Sequence, residues 1–69
     1  MTKLEFDYDE EHDIFAAMDV DREYDVSLPK KNVILDLDKK GRVVGIEIMN
    51  ASKLLALKKS ELKSLAGAK

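Results

Sequence analysis

The chain has no cysteine, no tryptophan, one proline, three glycines, one histidine and four aromatic residues among its 69 positions. Without cysteine there is neither a disulfide framework nor a thiolate metal site to hold a small core together. A lone histidine and no cysteine leave no base beside any of the serines, so a nucleophile of the serine or cysteine type is unsupported. Gly41, Gly45 and Gly67 are too scattered to build a phosphate-cradling loop. No apolar run approaches the roughly 20 residues that span a bilayer, and the acidic start MTKLEFDYDEEHD is unlike a signal peptide. These absences predict a cytoplasmic protein that is not an enzyme and carries no cofactor.

What remains is a balanced composition, 45% hydrophobic and 38% charged, of the kind that folds as a small globular unit. A single domain over residues 1–69 is expected, and a domain of that size buries only about 60% of the surface of its unfolded chain. Net charge is −2, unevenly spread. Residues 1–38 hold 12 acids and 4 bases, whereas residues 39–69 hold 2 acids and 8 bases. The two halves therefore attract one another, or a charged partner, over a range that salt shortens.

Period-two alternation organises the first 49 residues. Leu4, Phe6 and Tyr8 alternate with charged residues, and Ile14, Ala16, Met18 and Val20 repeat the pattern after the polar turn Asp9 to His12. Val33, Leu35 and Leu37 then precede Lys39-Lys40-Gly41-Arg42, a short glycine-containing loop, and Val44, Ile46 and Ile48 follow it. The segment between Asp21 and Lys31 is polar and contains Pro29, so it reads as loop, with a weak edge-strand alternation at Tyr24, Val26 and Leu28.

After Met49 the period lengthens. Asn50 or Ser52 is placed to cap a helix of about residues 51–66, with Gly67 at its end. The fold class predicted is α+β: an antiparallel sheet of about four strands in two hairpins, over about residues 3–49, covered by one C-terminal helix. Ala51, Leu54, Leu55, Leu62 and Leu65 lie on one arc of that helix. Lys58 falls inside the arc, which predicts that its methylenes run along the core and that packing loosens beyond Ser60.

Phe15, Ala17, Ile34, Val43 and Met49 fall on the opposite side of the sheet, beside Asp36, Gly45 and Glu47. One helix cannot cover both sides, so the expected interface with another copy or another small protein is this second face, an edge strand, or the helix end with Leu62 and Leu65. Gly45 would let another surface approach closely. The rival site is acidic. Asp36, Asp38, Gly41 and Glu47 stand in calcium-loop register, but Lys40 occupies a ligand position and the flanks alternate as strands. The cluster Asp7, Asp9, Glu10, Glu11, His12 and Asp13 has no specific metal spacing and reads as a solvated turn, with Asp9 and Asp13 shaping it. Lys53, Lys58, Lys59, Lys63 and Lys69 make the C-terminal segment basic, yet without arginine or aromatic residues they argue for solubility before nucleic acid.

Tyr8-Asp9, Asp13-Ile14-Phe15, Val33-Ile34-Leu35-Asp36, Gly41 to Ile48 and Ala51-Ser52 together resemble the domain of unknown function 2283 family, short prokaryotic proteins. The resemblance covers roughly Lys3 to Lys53. It departs at Phe15-Ala16-Ala17-Met18, where the family usually has a Leu-Tyr-Ile type of strand, and the Leu- and Lys-rich helix extends past what most members share. The resemblance implies a small α+β fold with an antiparallel sheet and carries over no catalytic or cofactor residue. By analogy with accessory proteins encoded beside another short protein, it implies an antitoxin-like binding role.

Overall fold

A computed structural model describes residues 3–67. Five strands form one antiparallel sheet: β1 (Leu4–Asp9), β2 (Ile14–Asp19), β3 (Val26–Lys30), β4 (Val33–Leu37) and β5 (Val43–Met49). Two short helices follow, α1 (Ala51–Leu54) and α2 (Lys59–Gly67). The sheet order is β1-β2-β5-β4-β3, so the hairpins β1-β2 and β3-β4 flank a central β5. The α+β class and the antiparallel sheet are as expected from the sequence, but there are five strands where about four were predicted, and two helices in place of one.

The additional strand is β3, which contains Pro29. Proline cannot donate to a ladder, yet it is tolerated where only one neighbour exists, and among the described residues β3 is an edge strand paired with β4 alone. The loop of Lys31 and Asn32 joins β3 to β4, with Leu28 opposite Leu35 and Lys30 opposite Val33.

Register corrects the predicted faces. Directly opposed residues of antiparallel strands share a side of the sheet, and Tyr8 pairs with Phe15 and Phe6 with Ala17. Phe15 and Ala17 therefore lie with Phe6 and Tyr8, and Ile14, Ala16 and Met18 lie on the other side, the reverse of the expected assignment. Alternation could not settle this because β2, IFAAMD, is apolar on both sides. The four-residue connection Glu10 to Asp13, closed by Asp13 at φ 55°, sets the phase. In β4 and β5 the expected face holds, with Val33 opposite Ile48 and Leu35 opposite Ile46.

The helix breaks where a continuous one was predicted. Ala56 adopts φ 55°, its amide donates to the Lys53 carbonyl at 3.3 Å, and the Leu57 amide donates to the Ser52 carbonyl at 3.0 Å. These two bonds with a left-handed residue between them form a Schellman turn that ends α1. Lys58 then precedes α2, and its amide donates to Glu61 Oε1 at 2.9 Å, the reach-back half of a capping box. Lys58 is exposed and begins a second helix; it does not lie along the core of a single one. Beyond Ser60 packing tightens, since Leu62 is fully buried where α2 packs against β1.

Gly45 also has a different neighbour from the one expected. A Cβ there would meet Asp36 Oδ2 at 2.9 Å and Met18 Cε at 3.1 Å, so the close approach is made by this chain's own side chains.

A non-glycine residue in the left-handed region costs about 1 kcal/mol. Ala56→Gly is accordingly expected to stabilise the chain by about 0.5–1 kcal/mol, read as a rise in Tm of several degrees. An unchanged or lower Tm would show that the turn does not carry this strain.

Candidate interaction surface

Three carboxylates position the surface. Asp13 stands in the β1-β2 turn and accepts the Tyr8 hydroxyl at 2.6 Å, the Ser52 amide at 3.1 Å and the Ser52 hydroxyl at 2.7 Å. Its carbonyl accepts the Ala51 amide at 3.0 Å. The first turn of α1 is thus capped from 39 residues away, and Asn50, one of the two residues expected as a cap, makes no side-chain cap bond and sits at φ 54°. Hydrogen bonds from Tyr8 and then Ser52 hold the Asp13 carboxyl below the usual range. Tyr8 is pushed up to about 12, first by its partial burial and then by its bond to Asp13 and the surrounding carboxylates.

Asp9 and Asp38 close their own turns. Asp9 accepts the His12 amide at 3.1 Å and pairs with the His12 ring at 2.9 Å, and its carboxyl is lowered mainly by that amide. Asp38 accepts the amides of Lys40 and Arg42, both at 2.9 Å. It also accepts Arg42 Nε at 3.0 Å, and the Arg42 amide is the leading cause of its lowered pKa. Arg22 lies between Asp19, at 3.1 Å, and Asp38, at 3.7 Å, tying the end of β2 to the β4-β5 hairpin.

The acidic candidates do not come together. Asp36 is buried and accepts the Ser27 hydroxyl at 2.7 Å. Glu47 lies opposite Ile34 on the same side of the sheet, whereas Asp38 is engaged in the hairpin turn. Among the described residues no three His, Cys, Asp or Glu side chains are grouped to hold a metal ion. The basic segment is divided as well. Lys59 Nζ donates to the Glu10 carbonyl at 3.3 Å and Lys63 Nζ pairs with Glu10 Oε1 at 3.2 Å, while Lys69 lies outside the described residues.

Of the residues proposed for an interface, Ile34, Gly45 and Met49 lie on the second face, with Glu47 and the buried Asp36. Phe15 and Ala17 belong to the first. Val43 leaves the second face at an irregularity in the β4-β5 pairing, where it meets Leu37. Leu62 is buried inside the chain and unavailable, whereas Leu65 is 51% exposed. What the sequence reading missed is a row across all five strands: Phe6, Ala17, Ile46, Leu35 and Leu28, each opposite the next. None of the five is fully buried. Beside Ala17 the surface sinks into a hollow of about 400 Å³ bordered by Leu4, Val43 and Ile46. No described helix is long and apolar enough to cross a membrane.

A match to the DUF2283 family, described as a protein of unknown function, runs over residues 5–52. The chain belongs to that family. The matched region opens inside β1 and closes at Ser52, so it contains the whole sheet apart from Leu4 and both hydrogen-bonding partners of Asp13. It is also similar to the uncharacterised protein MJ0789 of Methanocaldococcus jannaschii, with 38% identity over 60 residues, covering 87% of this chain and 52% of the relative. The chain therefore spans about half the length of that relative. No solved structure matches.

The lowered carboxyls of Asp9, Asp13 and Asp38 contribute stability that is fully present above the ordinary aspartate range, near 4, and is lost as pH falls through their folded values. Tm is expected to hold from neutral pH to about 5 and to fall below about 4. Asp13→Asn should lower the neutral-pH Tm and flatten that acid limb. In a Tyr24→Phe background Tyr8 should ionise only near 12, and earlier once Asp13→Asn is added. An unmoved tyrosine titration would break the link.

Proposed function

We propose that the chain is a small non-enzymatic interaction module that works by binding protein and first of all by associating with itself. The observation that carries this reading is the apolar row across the sheet. Among the described residues the fully buried hydrophobic ones are only Val44, Ala51 and Leu62, while Leu4, Phe6, Val26, Leu28 and Val43 are exposed. The chain exposes 5241 Å², against about 4400 Å² for a typical folded monomer of its mass. A core this thin gains stability when a second surface covers it.

The one arrangement that resembles a catalytic set supports the same reading. Tyr8, Asp13 and Ser52 are joined by hydrogen bonds, but the Ser52 hydroxyl donates to a carboxylate of lowered pKa, which is a poor base. The Tyr8 phenol is held in its neutral form. His12, the only histidine, is turned to Asp9. This set fastens the fold. An antitoxin-like protein would be one instance of such a module, with a second small protein on the same surface.

Light scattering during gel filtration should give a dimer mass at micromolar concentration, and Tm should rise with protein concentration, as it does when association stabilises the native state. A monomer mass and a concentration-independent Tm would overturn the reading.

A further inference from the structure

We propose that Ala56 is a hinge at which two copies of this chain exchange α2: the turn straightens, α1 and α2 become one helix, and Leu62 of each copy docks on the other's β1. This exchange rests on the self-associating reading above and adds the segment that crosses over and the hinge that lets it. Leu62, buried inside a single chain, becomes available as the hinge opens.

Among the described residues three other than glycine have positive φ: Asp13, Asn50 and Ala56. The first two are of the short polar types that tolerate the left-handed region, whereas alanine is the strongest helix former and a Schellman turn ordinarily places glycine or asparagine there. Residue 56 thus stands in a conformation that its own preference opposes, and its neighbours side with the preference. Breaking a helix in two creates a second set of unpaired end groups. Here the amides of Ala56 and Leu57 are held by the Schellman bonds and that of Lys58 by Glu61. In one continuous helix over about residues 51–66 these three amides donate to carbonyls four residues earlier, and those of Lys59 and Ser60, at the start of α2, do the same. The turn at Ala56 is also what brings α2 back to its own β1. Once it straightens, the β1 that α2 meets belongs to another chain.

The leucines show what the broken form leaves undone. Leu54, Leu55 and Leu65 are 50%, 41% and 51% exposed, whereas Ala51 and Leu62, on the same arc, are fully buried. Fused, all five lie along one side of a helix about 24 Å long, and two such helices related by a two-fold cover each other's leucines. Lys58 is the one residue of the arc that opposes this, and its stem lets the ammonium reach water. The contacts of α2 with the first hairpin, including Lys63 with Glu10 at 3.2 Å, are unchanged in kind, since exchange re-makes each of them between chains. They cancel from the balance, which is left to the hinge and to the leucines it aligns.

The Glu10 and Lys63 pair reports the exchange, because both side chains are exposed and the chain has no cysteine of its own. Chains carrying Glu10→Cys and Lys63→Cys are unfolded together, refolded as a mixture at micromolar concentration and treated with a short bis-maleimide, and the products are separated by mass. The mixture should give several-fold more covalent dimer than either variant alone, since exchange sets residue 10 of one chain beside residue 63 of the other. Ala56→Gly relieves the turn and weakens the continuous helix, each by about a factor of five. With two hinges per dimer, the dissociation constant of the Ala56→Gly dimer should rise on the order of several hundredfold. Glu61→Ala, which removes a bond that only the broken form makes, should lower it several-fold. A dimer mass with no preference for the mixed pair, or a dissociation constant that Ala56→Gly leaves unchanged, overturns the exchange and leaves the interaction module standing. A monomer mass overturns both.

Discussion

The carboxylate of Asp13 is the tie on which the rest of the chain depends. It joins the first hairpin to the point where the chain leaves the sheet, through Tyr8 on one side and Ser52 on the other. Both Asp13 and Asn50 stand in the left-handed region, where a short polar side chain is better tolerated than a bulky one. The chain leaves β5 through Asn50, and Asp13 holds the amide of Ser52, which a four-residue helix could not satisfy by itself. From there the Schellman turn redirects the chain, and α2 brings Leu62 into the core at β1. The charge asymmetry is used in the same place, as lysines of the second half meet Glu10 of the first.

At the other end of the sheet a second set of charges does comparable work. Asp19 and Asp38 share Arg22, and Asp38 also holds the loop of the β4-β5 hairpin. Between these polar ends the first face is apolar in every strand. The sheet is thus fastened at both ends along its strands.

Much of this was legible from residue order alone. Four of the five strands, the Lys39 to Arg42 hairpin and the α+β class follow from alternation and turn chemistry. β3 was weakly marked because proline is read as loop unless the strand is known to lie at an edge. The phase of β2 was not legible, because Phe15, Ala16, Ala17 and Met18 are apolar on both sides and only the length of the Asp13 turn decides between them. That single ambiguity moved Phe15 and Ala17 between faces and, with them, the candidate surface. Asp13 as a cap was illegible for another reason, since nothing local relates it to Ser52. The break at Ala56 was hidden because alanine is the best helix former, and the misfit of Lys58 on the apolar arc was its one visible trace.

That break also divides the chain into a part tied to the sheet by backbone hydrogen bonds and a part that packs on it through side chains. The family match ends at Ser52, the last residue that Asp13 grips, and the reversal at Ala56 lies just beyond. Whatever follows the Schellman turn is attached to the sheet by side-chain packing, chiefly at Leu62, and not by continuation of a helix. A different or longer C-terminal segment can therefore be grafted after α1 while every backbone bond of the sheet stays in place.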